Sequence, residues 1–192
     1  MKSVLKFLAI IVVSSSIAGA GIASAADYKI DPAHSFIQFK TKHLGYSWLI
    51  GRFNDFEGSF TYDPTAGADV QKINVTINTN SVDTNWADRE KHLRGGDFLE
   101  VDKHPVATFV STGYSGDGNV GVMAGDLTLH GVTKPIEITV ERIGEGPDPW
   151  GGYRAGFTGK IMLTRSDFGI TYDLGPTSTV LEMDLFVEGI RQ

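Results

Sequence analysis

The chain contains no cysteine and no run of basic residues. Without cysteine it can form no disulfide, no thiolate metal site and no thiol nucleophile. The formal net charge of −6 gives no electrostatic attraction for a phosphate backbone, so we expect no nucleic-acid partner. A hydrophobic content of 41% is that of a folded globular protein and excludes a disordered chain.

The chain also lacks an apolar run long enough to cross a membrane, which takes about 20 residues. Its most apolar run, residues 7–13, follows Lys2 and Lys6 and precedes the small residues that end at Ala25. A charged start, a short apolar run and an Ala-x-Ala site are typical of a secretory signal peptide. We therefore predict that residues 1–25 are removed by cleavage after Ala25. Residues 26–192 then form one exported domain.

Apolar and polar residues alternate along much of the remaining chain, which predicts half-buried antiparallel strands. The clearest strands are predicted within residues 73–77, 136–140 and 181–187, and others at residues 36–40, 46–53, 56–62, 106–112, 120–129 and 153–163. Turn signals separate them at residues 63–64, 116–119 and 130–135, and a long loop is expected at residues 144–152. In residues 120–129 the apolar parity changes at Gly125, which predicts a bulge or corner. The pattern predicts an all-β meander or barrel.

One segment, residues 85–94, is rich in helix formers and predicts a single short helix. Asn85 is its predicted N-cap, Glu90 and Arg94 form an i,i+4 pair, and Gly95 ends it. This helix could be a simple lid over one end of the barrel, or it could have a functional role.

No catalytic or metal-binding motif is evident. The five histidines have no zinc-motif spacing, and we expect no metal site; they are His34, His43, His92, His104 and His130. The sequence has no G-x-S-x-G elbow, and its glycine-rich turns lie between strands rather than between a strand and a helix. We therefore predict no catalytic residues, although folding could still assemble a catalytic set from distant positions.

Aromatic residues are numerous, with 11 Phe, 6 Tyr and 3 Trp, and many lie inside predicted strands. An eight-stranded barrel can be filled by side chains or can hold one small ligand. Aromatic residues alone do not separate these alternatives.

Five groups of residues, in order along the chain, together resemble the YceI family. They are His43 to Trp48, Ser81 to Thr84, Lys91 to Arg94, Gly125 to Pro135, and Asp148 to Phe157. The resemblance implies an antiparallel eight-stranded lipocalin-like barrel with one short helix, and an elongated apolar cavity that holds a polyisoprenoid chain, such as an isoprenoid quinone. It also implies a periplasmic location.

The resemblance gives candidate ligand-binding residues. The expected cavity lining is Phe39, Tyr46, Trp48, Phe53, Phe60, Phe109 and Phe157, with one end closed by Trp86, Leu93 and Phe98. Head-group candidates are His43, Arg94, Asp97 and Trp150. Structural roles are the alternatives: His43 could cap a strand, Arg94 could pair with Glu90, and Trp150 could fix its loop.

The leading hypothesis is a non-enzymatic periplasmic protein that stores or transports an isoprenoid lipid. Such a protein needs no cofactor besides the bound polyisoprenoid or isoprenoid quinone and makes at most transient contact with a membrane. Whether two copies form a homodimer stays open. One alternative is an enzyme that acts on a prenyl substrate in the same cavity. Another is a barrel with a filled core that acts as an interaction module through its surface.

Overall fold

A computed structural model describes residues 25–63, 71–117 and 119–192. The predicted signal peptide lies almost wholly outside the described residues, as do parts of the predicted turns at residues 63–64 and 116–119. The strands are β1 (Ala26–Ile30), β2 (Phe36–His43), β3 (Ser47–Phe53), β4 (Phe56–Tyr62), β5 (Lys72–Asn78), β6 (Val82–Asp83), β7 (Val106–Asp117), β8 (Val120–Leu129), β9 (Val132–Pro147), β10 (Tyr153–Thr164) and β11 (Val180–Arg191). The α-helix α1 spans Ala87–Arg94, and short 3-10 helices span Thr79–Ser81, Arg165–Phe168 and Pro176–Ser178.

The strands form one antiparallel sheet that closes on itself. Around the barrel the order is β1, β4, β5, β7, β8, β9, β10 and β11, and pairing of β11 with β1 completes the circle. Near its end β11 pairs with β1, whereas its first half pairs with β2. Strands β3 and β6 extend the sheet beyond β2. The prediction of an eight-stranded antiparallel barrel with one α-helix is confirmed.

The two ends of the barrel differ. The end that we call the helix end carries α1, the turn at His130 and Gly131, and the 3-10 helix Arg165–Phe168. The other end, which we call the Arg142 end, carries the last residues of β4, β7 and β9. No helix in the described part of the chain is long and apolar enough to cross a membrane.

Inward-facing side chains form two apolar clusters, one around Tyr28, Phe56 and Phe60, the other around Phe109 and Leu127. The predicted strands correspond to observed ones, because period-two alternation places one face of each strand inside the barrel. The alternation did not reveal β1 or β6, which are only five and two residues long.

Three local predictions are wrong. The helix begins after Trp86, not at Asn85, because Asn85 has a φ of 66°. Glu90 Oε1 instead fixes the segment that precedes the helix, because it accepts hydrogen bonds from the backbone N–H groups of Thr84 at 2.8 Å and Trp86 at 3.1 Å. The predicted end of the helix at Gly95 is confirmed.

The predicted irregularity at Gly125 lies in the facing strand, where the register of β7 shifts between Ser111 and Gly113. Strand β8 itself does not change parity. Its inward positions Gly121 and Gly125 carry no side chain and are covered by the rings of Tyr114 and Phe109. The loop predicted at residues 144–152 is also shorter, because β9 continues to Pro147 and pairs with β10.

Candidate functional site

The barrel encloses an apolar cavity of about 200 Å³. Side chains from all eight barrel strands line it, and most are aliphatic or aromatic. The wall includes Ile30, Phe60, Ile73, Val75, Phe109, Met123, Leu127, Ile138, Val140, Phe157, Ile161, Met183 and Leu185. Typical small-molecule pockets have volumes of about 300–1,000 Å³. The cavity is therefore smaller than a typical pocket, and a bulky ligand has to displace side chains of the wall.

A group of packed rings forms one part of this wall. The Phe60 ring stacks on Tyr28 with a centroid distance of 4.9 Å, and Phe157 packs edge-on against Phe60 at 5.5 Å and against Tyr62 at 5.1 Å. Burial raises the pKa of the Tyr62 phenol, so this hydroxyl stays protonated at neutral pH. Edge-to-face packing of this kind holds the rings in place. This part of the wall is apolar and ordered.

Polar side chains on the cavity wall concentrate toward the Arg142 end. The wall includes Gln71, Lys72 and Asn119 as well as Arg142. The Arg142 guanidinium donates to Asn119 Oδ1 from Nη2 at 2.8 Å and from Nε at 3.1 Å. Its Nη1 donates to Glu145 Oε1 at 3.3 Å. The cavity thus combines an apolar body with a hydrogen-bonding group near one end.

Three of the predicted lining residues, Phe60, Phe109 and Phe157, lie on the cavity wall. Phe39 and Phe53 do not. Phe39 is buried over Gly51, and its ring centroid lies 5.8 Å from that of Phe53. The two rings pack against each other on one face of the β2–β3 hairpin, and Phe53 also packs against the core cluster around Tyr28.

The remaining aromatic candidates lie at or near the helix end, outside the cavity wall. Tyr46, Trp48 and Trp86 are exposed, with 87%, 43% and 62% of their surface accessible. Strands β2 and β3 extend beyond the closed barrel, so their hairpin faces solvent, and Trp86 precedes a helix that has no buried residue. Tyr46 and Trp48 were expected in the lining and Trp86 at a closed end, but none of the three is among the residues of the cavity wall.

The two residues expected to close the cavity with Trp86 have other surroundings. Phe98 is buried against the rings of His92 and Tyr172, at centroid distances of 5.0 and 5.2 Å. Leu93 is half-buried on α1. Neither lies on the cavity wall, so they pack the helix end rather than the cavity.

None of the four predicted head-group residues lies on the cavity wall. Arg94 donates to the backbone carbonyls of Asn80 and Val82, both at 2.8 Å, and so anchors α1 instead of pairing with Glu90. Asp97 lies 2.9 Å from His92 Nε2.

The other two head-group candidates are surface residues. His43 is exposed at the end of β2. Trp150 is exposed at the Arg142 end, where Arg154 stacks on its ring at 5.3 Å. The structure instead places Arg142 beside the cavity. Sequence reasoning had no signal for this residue, because Arg142 lies in no recognised motif.

Two clusters in the described chain bring together side chains that can bind metals. In the first, Asp31, His34 and Glu188 converge, but the Arg154 guanidinium already pairs with both carboxylates. Hydrogen bonds from Arg154 and His34 lower the pKa of Asp31 to about 2. This cluster is an ion-pair network.

The second cluster consists of Glu100, His104 and His130, whose ligand atoms all lie within 4.8 Å of one another. Sequence reasoning missed it, because His130 is distant in sequence and only folding brings it to the segment after α1. The short spacing from Glu100 to His104 was the one available signal.

The sequence was compared with known proteins. It matches the YceI-like domain family over residues 28–188. A UPF0312 protein from Pseudomonas aeruginosa is 58% identical over 189 residues, covering 97% of this chain and 98% of the relative. Another from Pectobacterium carotovorum is 55% identical over 180 residues, covering 93% of each chain.

Solved structures share the fold. The Campylobacter jejuni YCEI protein superposes with a TM-score of 0.71 at 31% identity, covering 79% of this chain and 90% of that one. A polyisoprenoid-binding domain from Saccharophagus degradans has a TM-score of 0.63 at 20% identity, covering 88% and 100%, and this likeness shows the fold alone. The family match spans nearly all of the described barrel, and the chain belongs to the YceI-like domain family.

Proposed function

We propose that this protein binds one isoprenoid lipid, of the polyprenyl or isoprenoid quinone type, inside its barrel, and stores or transports it in the periplasm. The observation that carries this proposal is the closed barrel whose interior is an apolar cavity with a polar group near one end. The neighbour from Saccharophagus degradans, described as a polyisoprenoid-binding domain, supports the same ligand class.

The wall suits a flexible, branched hydrocarbon. Its many aliphatic side chains offer no fixed polar contacts, and Met123 and Met183 can change conformation to make room. The prenyl chain then lies along the apolar body, and a polar head group lies near Arg142, whose guanidinium donates hydrogen bonds.

The energetics favour exchange with a membrane rather than irreversible binding. Each Å² of apolar surface removed from water contributes about 25 cal/mol, so a prenyl chain does not leave the cavity for water. A bilayer shelters the same chain equally well. A barrel of this kind can therefore take up and release its ligand at a membrane.

We propose binding without catalysis. Within the described wall, the guanidinium of Arg142 donates hydrogen bonds to Asn119 and Glu145. A guanidinium can hold a polar head group, but it does not act as the base that activates a nucleophile. The alternative of an enzyme acting on a prenyl substrate makes a different prediction, namely a chemically changed ligand.

Titration of the lipid-free exported protein with an isoprenoid quinone tests the proposal. The expected result is saturable binding of one quinone per chain, weaker binding of a straight-chain fatty acid, and recovery of unchanged quinone by solvent extraction. Recovery of a modified quinone would favour the enzyme. Absence of saturable binding would favour a barrel that acts through its surface.

A further inference from the structure

A second candidate site lies at the helix end, where Glu100, His104 and His130 meet. Glu100 and His104 belong to the segment between α1 and β7, and His130 lies in the turn between β8 and β9. Glu100 Oε2 is 3.8 Å from His130 Nε2 and 3.9 Å from His104 Nε2. The three side chains are between 15% and 27% accessible, so they are largely shielded from water.

The hydrogen bonding of His130 leaves one ring nitrogen without a partner. Nδ1 lies 3.1 Å from the carbonyl oxygen of Phe168, which can only accept, so Nδ1 carries the proton and donates. In the neutral ring Nε2 then presents a lone pair. This atom is buried and has no hydrogen-bond partner among the residues that the structure describes, and the Glu100 carboxylate faces it. Two acceptors facing each other across a shielded gap are the arrangement that a bound cation satisfies.

The backbone also holds these residues in uncommon conformations. Glu100 and His130 have φ values of 44° and 52°, in the left-handed region that residues other than glycine seldom adopt. Gly131 follows with a φ of 74°, and a Cβ there would lie 2.7 Å from His104 Cε1. Such conformations persist where the surrounding structure fixes them, and they cluster at functional sites.

We propose that Glu100, His104 and His130 bind a zinc ion. Zinc–ligand distances of about 2.0–2.2 Å place tetrahedral ligands about 3.3–3.6 Å apart. The two separations that involve Glu100, 3.8 and 3.9 Å, need to close by a few tenths of an ångström, and all three ligand atoms lie within 4.8 Å of one another. Lys103 Nζ pairs with Oε1 of Glu100 at 2.5 Å, which leaves Oε2 to bind the metal. The fourth position is available to a water molecule.

The ligand types favour a transition metal such as zinc over calcium or magnesium. Two imidazole nitrogens and one carboxylate oxygen suit zinc, whereas calcium and magnesium prefer sites made of oxygen ligands alone. The carbonyl of Phe168 acts as the outer partner that orients the His130 ring. Bound zinc would tie the segment after α1 to the β8–β9 turn and thereby stabilise the helix end. The site is separate from the lipid cavity and does not depend on the proposed function.

The test uses the exported protein without a histidine tag, freed of metal by dialysis against a chelator. Zinc binding is measured by calorimetry and elemental analysis, and Mg²⁺ serves as the comparison ion. We expect one zinc per chain and an unfolding midpoint raised by about 5–10 °C when free zinc is about 100 times the dissociation constant. Magnesium should leave the midpoint unchanged.

The variants H104A and H130N each remove one ligand, and asparagine tolerates the left-handed backbone at position 130. Each should lower zinc affinity by more than about tenfold, while H43A, which removes an exposed histidine elsewhere, should not. Co²⁺ bound to the wild type should give the intense visible absorption of a tetrahedral complex. This measurement remains decisive if a variant fails to fold. The proposal is overturned if the wild type binds no zinc, if both variants keep wild-type affinity, or if Co²⁺ shows only weak octahedral absorption.

Discussion

The ring of Phe109 lies directly against the bare α-carbon of Gly125 across the β7–β8 pair: a Cβ added to Gly125 would lie 2.4 Å from Phe109 Cζ. The absence of a side chain at Gly125 therefore sets the position of Phe109, and with it the shape of the cavity wall.

Replacing this glycine should alter stability and binding together. In G125A the new methyl group forces Phe109 toward the cavity, and we expect the free energy of unfolding to fall by about 1–3 kcal/mol, with weaker isoprenoid binding. Urea unfolding and ligand titration measure the two effects. G146A is the matched control, because a Cβ at Gly146 meets no atom of the described residues within 4 Å. Equal behaviour of the two variants would contradict the assigned contact.

Filling the cavity should remove binding with little effect on folding. Val140 lines the cavity and pairs with Gly121 on one side and Gly159 on the other. In V140F the larger ring occupies part of the cavity of about 200 Å³, so we expect a loss of less than about 1 kcal/mol in stability and at least about a tenfold loss of isoprenoid affinity. W48A should change neither quantity much, since Trp48 is outside the wall and 43% exposed. Loss of binding in W48A alone would place the ligand on the β2–β3 hairpin.

The guanidinium of Arg142 should distinguish ligands by their head groups. R142Q should weaken binding of an isoprenoid quinone by about tenfold, because a charged hydrogen-bond donor is lost, and should leave a prenyl hydrocarbon without a head group unaffected. R52Q, which alters an exposed arginine paired with Asp83, is the control. Equal weakening for both ligands in R142Q would show that Arg142 acts on the barrel and not on the head group.

Acid should weaken the fold partly through Asp31. Its pKa is lowered to about 2 from 3.8, first by Arg154 at 2.7 Å and then by His34 at 2.8 Å. Because the folded-state pKa is depressed, this carboxylate contributes stability that is fully present above about pH 4 and is lost as the pH falls toward 2.

D31N should therefore cost about 1–2 kcal/mol at pH 7, and the difference from the wild type should shrink below about pH 3. Urea unfolding at several pH values measures this, with D126N, at an exposed position on β8, as the control. A D31N deficit that stays constant down to pH 2 would contradict the ion-pair account.

Period-two alternation was sufficient to predict most strands, because one face of each packs inside the barrel. The alternation could not identify the wall of the cavity. An aromatic residue such as Trp48 faces the interior only if its strand belongs to the closed part of the barrel. Nor could it identify Arg142 or the cluster around Glu100, whose members are brought together by long-range pairing. The choice of aromatic over aliphatic lining was the main error, because Ile73, Ile138 and Val140 contribute to the wall as Phe157 does.

The central claim is that the barrel interior holds an isoprenoid lipid. It is tested by mass spectrometry of the gently purified protein, first intact under native conditions and then after solvent extraction, for the wild type and V140F. We expect one prenyl lipid per wild-type chain and its loss from V140F. A wild-type protein that carries no prenyl lipid and takes up no added isoprenoid quinone would contradict it.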